Sequence, residues 1–189
     1  MEIIEQNFLQ HIETANNYKE LIEPASKTAK KILECLNNNG KILLCGNGGS
    51  AADANHLTAE LINRYKKERN PLPAISLSAN PSNITAIGND YSFDFVFSKQ
   101  IEALGNKEDI LIAISTSGKS KNIIEALKSA GKKNIYTILF TGNNDSDATK
   151  ICNLAIKVPS TETPRIQEIH LILYHAICEI VEEKITEEK

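Results

Sequence analysis

The sequence predicts a doubly wound α/β layer: a parallel five-stranded sheet flanked by helices, with two extra N-terminal helices ahead of the first strand. Apolar runs such as Leu111-Ile112-Ala113-Ile114 lack polar alternation, which suits strands covered on both faces. Segments with apolar residues at helical spacing separate those runs, and alternation at these lengths means parallel crossovers. The 189 residues are expected to form one domain with a sizeable core, without internal repeat, low-complexity tract or linker.

Two helices come first. Up to about Tyr18, Ile4, Phe8, Ile12 and Ala15 share one face. The second starts near Pro24, runs through Ile32, Leu33 and Leu36, and stops at Asn37-Asn38-Asn39-Gly40. A small parallel sheet does not need both as cover, so their surplus apolar surface is expected to pack against another subunit. Residues 41–45 are the first strand, followed by a glycine turn and a helix from Ser50 that carries Ala51, Ala54, Leu57, Leu61 and Ile62. Residues 73–78 form the second strand. Asn80-Pro81-Ser82 caps a short helix to about Ile87, which Gly88-Asn89-Asp90 breaks. Residues 93–104 read as one helix with Phe93, Val96, Phe97 and Ile101 buried.

Residues 110–114 are the third strand, and Ile123, Ile124, Leu127 and Ala130 mark the helix behind it. The fourth strand spans 135–140, a short helix lies at 147–152, and the fifth strand spans 154–158. A long helix from about 164 to 184 closes the chain, with Thr163 as cap and Pro164 at its first position. Ile166, Ile169, Leu173, Ile177 and Ile180 are its inward set.

Ser115, Thr116, Ser117, Gly118, Lys119 and Ser120 separate the third strand from its helix. An ordinary helix cap needs one hydroxyl. Four hydroxyls in six residues, beside the free N–H groups at the positive end of a helix, make a site for a phosphate dianion. It is not a P-loop, which needs glycine where Ala113 stands. Gly46-Asn47-Gly48-Gly49-Ser50-Ala51 fits G-x-G-x-x-A after a strand, but a dinucleotide site wants an acid roughly 20 residues on. Ser76, Leu77, Ser78, Ala79 and Asn80 offer none. Both loops open at the carboxyl ends of strands, where a doubly wound sheet holds its ligand.

His56 and Glu60, four apart, project from one helix face. Gln167 and His175, eight apart, lie about 80° apart around the helix axis and two turns along it. Imidazole and carboxylate suit zinc, while an amide oxygen is a less usual ligand. The same residues also read as an exposed helix pair and a solvated first-turn glutamine. Spacing does not choose between His170 and His175.

The net charge of −3 and the lack of a basic stripe exclude a nucleic-acid binder. No apolar run approaches the roughly 20 residues of a membrane span. Met1-Glu2-Ile3-Ile4-Glu5 lacks the basic start of a signal peptide. Cys35, Cys45, Cys152 and Cys178 show no C-x-x-C pairing and read as reduced core thiols of a cytoplasmic protein.

Several blocks together resemble the phosphoheptose isomerases of the sugar-isomerase (SIS) fold. They are Cys45-Gly-Asn-Gly-Gly-Ser-Ala-Ala-Asp-Ala-Asn-His56, Ala59-Glu60, Asn63-Arg64-Tyr65, Gly88-Asn89-Asp90, Ile114-Ser-Thr-Ser-Gly118 with Ser120, Leu139-Phe140-Thr141-Gly142, and Arg165-Ile-Gln-Glu-Ile-His170. The likeness runs in order over nearly the whole chain. It implies sedoheptulose 7-phosphate as substrate and D-glycero-D-manno-heptose 7-phosphate as product, a cytosolic homotetramer, zinc, and active sites shared between neighbouring subunits. By position it implies His56, Glu60, Gln167 and His175 as the zinc set, with Glu60 and His175 also the acid/base pair. Ser115, Thr116, Ser117 and Ser120 correspond to the phosphate site. Asn47, Gly48, Gly49, Ser50, Asn89 and Asp90 correspond to the sugar site, with Gln167 and Arg64 as further substrate contacts. Lys119 departs from the family, which often has Asn there, and adds positive charge beside the phosphate. The alternative is a non-catalytic cousin that binds the replication initiator DnaA. That group lacks the carboxylate and imidazole at the positions of Glu60 and His175, and here both are present.

Overall fold

The computed structural model describes residues 1–187. Five strands, β1 (Ile42–Gly46), β2 (Ala74–Ser76), β3 (Ile110–Ile114), β4 (Tyr136–Thr141) and β5 (Leu154–Lys157), form one sheet in the order β2-β1-β3-β4-β5. Every neighbouring pair is parallel. The helices are α1 (Glu2–Asn16), α2 (Lys19–Asn37), α3 (Gly49–Ile62), α4 (Pro81–Asp90), α5 (Ser98–Leu104), α6 (Lys121–Lys132), α7 (Asp147–Ile151) and α8 (Thr163–Glu187).

Both faces of the sheet are covered, which is why its central strands carry no polar alternation. Leu44, Ile112 and Phe140 enter one core, completed by Ile32 of α2, Leu57 of α3 and Leu173 of α8. Leu43, Leu111 and Leu139 point the other way, against Ile101 of α5 and Leu127 of α6. From β1 the sheet grows towards β2, and from β3 towards β4, so a crevice opens between β1 and β3 at their carboxyl ends. At the opposite end, Asp109 accepts from the Lys41 backbone N–H at 2.9 Å and from its ammonium at 2.7 Å, clasping the amino ends of the same two strands.

Local signals fail where distant contacts override them. α2 begins at Lys19 and carries Pro24 inside it, because Leu21 and Ala25, both buried, tie its first turns to the core. α4 runs through Gly88 to Asp90, where a glycine costs only about 1 kcal/mol relative to Ala. The expected single helix over 93–104 is a 3-10 turn at Phe93–Phe95, capped by Ser92, followed by α5. Phe93 is exposed while Val96, Phe97 and Ile101 are buried. Thr163 is the first residue of α8, and Ile180 is partly exposed on its outer side.

On α1, Ile4, Phe8 and Ile12 are more than half exposed. The helix attaches instead by polar contacts. Arg165 of α8 donates to the Asn7 carbonyl and side-chain oxygens at 2.8 Å, and His11 Nδ1 meets Glu168 at 2.8 Å. Phe8 borders an apolar groove of about 340 Å³ with Leu171 and Ile172.

A buried ion pair fastens the loop after α3. Glu182 accepts from the backbone N–H groups of Tyr65, Lys66 and Lys67 at 2.9, 2.7 and 2.7 Å. Arg69 Nε lies 3.3 Å from Glu182, both side chains being 2% exposed. The Arg69 guanidinium also donates to the carbonyls of Glu60, Leu61 and Asn63, closing the carboxyl end of α3. Burial works against ionisation of Glu182, but the three amides and the Arg69 charge outweigh it and hold its carboxyl below the ordinary 4.5.

Removing one partner leaves a buried charge uncompensated, so Arg69→Ala should lose about 3–5 kcal/mol in urea unfolding. The Glu182 contribution is fully present above pH 4.5 and is lost as pH falls through its lower native value. Glu182→Gln should therefore flatten the acid limb of the stability curve.

Candidate active site

Above the β1–β3 crevice lies a cavity of about 250 Å³. The starts of three helices face it: Gly49 and Ser50 from α3, Thr163 and Gln167 from α8, and the loop 115–120 leading into α6. Helix N-termini present free N–H groups and partial positive charge, so three of them on one cavity make an anion site. Ser120 stands at the cap of α6, yet its hydroxyl makes no capping bond; it accepts from the Ser115 hydroxyl at 3.5 Å and keeps its own hydrogen to donate. Ser115, Thr116 and Ser117 line the same cavity. Gly118 turns the loop at φ +63°, where a side chain would also run into Ser146. At Gly49 a Cβ would come within 2.5 Å of Gln167 Nε2, so the bare backbone makes room for that amide.

Asn47, after β1, is held by a reciprocal amide pair: each of Asn47 and Asn122 donates to the other at 2.9 Å. Asn122 is 3% exposed in the first turn of α6, so the pair locks the glycine turn to the hydroxyl loop. Sequence reading passed over Asn122 because a lone amide at a helix start carries no motif.

Further along α3 and α8 stands a second group. Metal-ligand atoms of His56, Glu60 and His175 lie within 4.8 Å of one another. His56 Nε2 is 3.0 Å from Glu60 Oε1, and its Nδ1 is 2.9 Å from the hydroxyl of Tyr174. The His175 ring meets His56 edge-on at 5.1 Å and stacks on Tyr65 at 5.5 Å. Burial first, and then the neighbouring His56, push the His175 imidazole below its usual value, with Glu60 pulling the other way. The set suits zinc: two imidazoles and a carboxylate are three donors that leave a fourth position open. Gln167, two turns earlier on α8, packs its amide on Gly49 at the cavity instead.

The structure separates the two histidines that spacing left open. His170 is fully buried with Nε2 3.4 Å from the Thr141 carbonyl and its ring against Phe140, and burial pulls its pKa down to about 4. It is a neutral packing residue. Gly48 forms the turn before α3 at φ +54°. Arg64 is half-exposed and pairs with Glu68 at 3.5 Å. Asn89 donates to Asp90 at 2.9 Å at the exposed end of α4, and neither lines the cavity. Lys119 is exposed at the loop's edge, its backbone N–H donating to Ser117 Oγ at 3.2 Å.

The SIS-domain family pattern matches residues 8–142. A phosphoheptose isomerase from Campylobacter jejuni is 47% identical over 181 residues, covering 96% of this chain and 97% of that one. One from Aliarcobacter butzleri is 50% identical over 182 residues, covering 96% of each. Among solved structures, phosphoheptose isomerase GmhA from Neisseria gonorrhoeae superposes with a TM-score of 0.91 at 42% identity, covering 96% of this chain and 98% of that chain.

Ser117→Ala and Ser120→Ala each remove a hydroxyl from the anion cavity. Each should weaken sugar-phosphate binding about tenfold to a hundredfold, the cost of one hydrogen bond to a charged group. Isothermal titration would check this, and wild-type affinity in both variants would remove the anion from this cavity.

Proposed function

The chain belongs to the phosphoheptose isomerase family of SIS-domain proteins, and on that premise we propose that it converts sedoheptulose 7-phosphate to D-glycero-D-manno-heptose 7-phosphate. In this reading it takes the first step towards a nucleotide-activated heptose for surface glycans such as lipopolysaccharide or capsule, and works in the cytoplasm.

One observation carries the assignment: an anion cavity and a His–Glu–His cluster share the same two helices at a fixed spacing. Seven residues separate Gly49 from His56 and eight separate Gln167 from His175, about 10–12 Å at 1.5 Å per residue. An open seven-carbon chain with a terminal phosphate reaches that far. With the phosphate in the cavity, carbons 1 and 2 come to the cluster.

Ketose-to-aldose conversion takes a proton from C1 and returns one to C2 through an enediol. Glu60 takes the C1 proton, and His175, across the reacting carbons, moves the hydroxyl and C2 protons. Glu60 Oε1 faces His56, which leaves Oε2 for proton transfer. Phosphate binding at the cavity holds the far end of the sugar and lends orientation to the reacting end. His56, Glu60 and His175 would hold a zinc ion, which when bound supplies Lewis acidity to the sugar oxygens. Gln167 would join as a fourth donor only by swinging its amide away from Gly49. Asn47, Gly48 and Ser50 border the sugar. Arg64, Asn89 and Asp90 stand outside the cavity in one subunit, and their assignment to the substrate goes with a site shared between subunits.

A homotetramer is part of the same reading. The exposed row Ile4, Phe8 and Ile12 and the groove beside Leu171 and Ile172 support a face that another copy covers. The alternative, a non-catalytic tetramer bound to the initiator DnaA, has no observation in its favour.

Incubation of the purified protein with sedoheptulose 7-phosphate should yield the aldose phosphate. Glu60→Gln and His175→Ala should each lower the rate about a hundredfold to ten-thousandfold. His170→Ala should lower the melting temperature more than the turnover. A fully active His175→Ala protein overturns the catalytic assignment.

Light scattering at micromolar concentration should report a tetramer, and deletion of residues 1–20 should lower the oligomeric state or the solubility. A monomeric full-length protein refutes the assembly.

A further inference from the structure

Leu139, Phe140 and Thr141 end β4 and Gly142 follows, and none of the four lines the anion cavity. Gly142 nevertheless stands between two of the cavity's walls. Its N–H donates to the Thr116 carbonyl at 3.0 Å, and the N–H of Asn143 donates to the Ser160 carbonyl at 3.0 Å. Thr116 belongs to the hydroxyl loop, and Ser160 lies three residues before Thr163, where α8 begins. The hydroxyls of Thr116 and Thr163, both lining the cavity, are 3.5 Å apart. The two walls are therefore joined across the backbone of residues 142 and 143.

The space at Gly142 is closed on three sides. A Cβ there would lie 2.8 Å from the Thr116 carbonyl oxygen, 2.9 Å from the Ser160 carbonyl oxygen and 2.6 Å from Ile166 Cδ1. The last is well inside the roughly 3.5–4.0 Å at which carbons meet. Both carbonyl contacts would be shorter than the 3.0 Å hydrogen bonds those oxygens accept. The Ile166 tip can turn aside by a rotamer change. A backbone carbonyl moves only if its segment moves. Gly142 is not among the positive-φ glycines, so its bareness serves the close approach and not a left-handed turn.

We propose that Gly142 is a positioning residue for sugar-phosphate binding, a spacer whose missing side chain sets the separation of the Thr116 and Thr163 walls. The inference rests on the reading of the cavity as the phosphate site. Hydrogen bonds tolerate shifts of only a few tenths of an ångström, so a methyl that displaces either carbonyl moves donors off the anion. His56, Glu60 and His175 stand about two turns further along α3 and α8, and the methyl leaves them in place.

The test compares Gly142→Ala with Gly105→Ala, a change of like severity at the amino ends of the strands. A Cβ at Gly105 would lie 2.6 Å from Ile135 Cδ1 and 2.8 Å from the Ile101 carbonyl oxygen. Both variants should lower the melting temperature. Only Gly142→Ala should weaken sedoheptulose 7-phosphate in isothermal titration, by about tenfold to a hundredfold, and in kinetics it should raise KM more than it lowers kcat. Adding Ile166→Val removes the Cδ1 atom and should restore part of the melting temperature while affinity stays weakened. Wild-type affinity in Gly142→Ala, an equal loss in Gly105→Ala, or affinity regained with Ile166→Val each overturns the spacer. Wild type that does not bind sedoheptulose 7-phosphate overturns the phosphate reading along with it, whereas wild-type binding that Gly142→Ala leaves intact overturns the spacer alone. Should Gly142→Ala fail to fold both alone and with Ile166→Val, amide exchange in the wild type decides. Sedoheptulose 7-phosphate should slow exchange of the Gly142 N–H, and an unchanged rate overturns the spacer.

Discussion

Three helices aim their positive ends at one small cavity, and much of the molecule follows from that convergence. Aligned helix dipoles repel where their N-termini meet, and the surrounding side chains moderate this with oxygen atoms instead of charges. Ser50, Ser115, Thr116, Ser117, Ser120 and Thr163 supply hydroxyls, and Asn47 and Gln167 supply amides. Among the described residues, no carboxylate lines the cavity to compete with an incoming anion. The sheet makes the convergence possible, since β1 and β3 are the adjacent strands from which the chain winds in opposite directions. A phosphate bound there is measured against two rulers at once, α3 and α8, and both reach the His56–Glu60–His175 group.

The far ends of those rulers are fixed by a different force. Arg69 and Glu182 bury opposite charges; Glu182 accepts from three backbone N–H groups of the loop after α3, and Arg69 donates to carbonyls in the last turn of α3. The loop so fixed lays Tyr65 flat on His175. Apolar packing alone would let α3 slide along α8, whereas paired charges with directional bonds permit one register. The helix positions that set the reach from cavity to cluster are therefore held at both ends.

Much of this was legible in the sequence, and the exceptions share a cause. The strands announce themselves because β1 and β3 are buried on both faces. The loop 115–120 announces itself by having more hydroxyls than a cap needs. His56 and Glu60 are visible as a face pair because four residues bring a helix round once. What stayed hidden depends on contacts between distant residues. Asn122 meets Asn47 across 75 positions, and Tyr174 meets His56 across 118. Glu182 receives Tyr65 across 117. His170 and His175 differ in what surrounds them and not in any local pattern, so spacing had nothing to choose with. The misplaced helix start at Pro24 is the same effect, local propensity yielding to the burial of Leu21 and Ala25.

The clasp between Lys41 and Asp109 has a consequence in time. It joins residues 68 positions apart, and the pairing of β1 with β3 waits on closure of that long loop. Helices form on the sub-microsecond scale, but a parallel pair with so large a separation is slow to nucleate. The anion cavity sits on that pair and borrows its last wall from α8, near the end of the chain. On the proposed function, a nascent or half-folded chain has nowhere to hold the phosphate, and ligand would stabilise the finished fold alone. Affinity for the proposed sugar phosphate would then register complete folding, absent from every intermediate that lacks either the central strand pair or the closing helix.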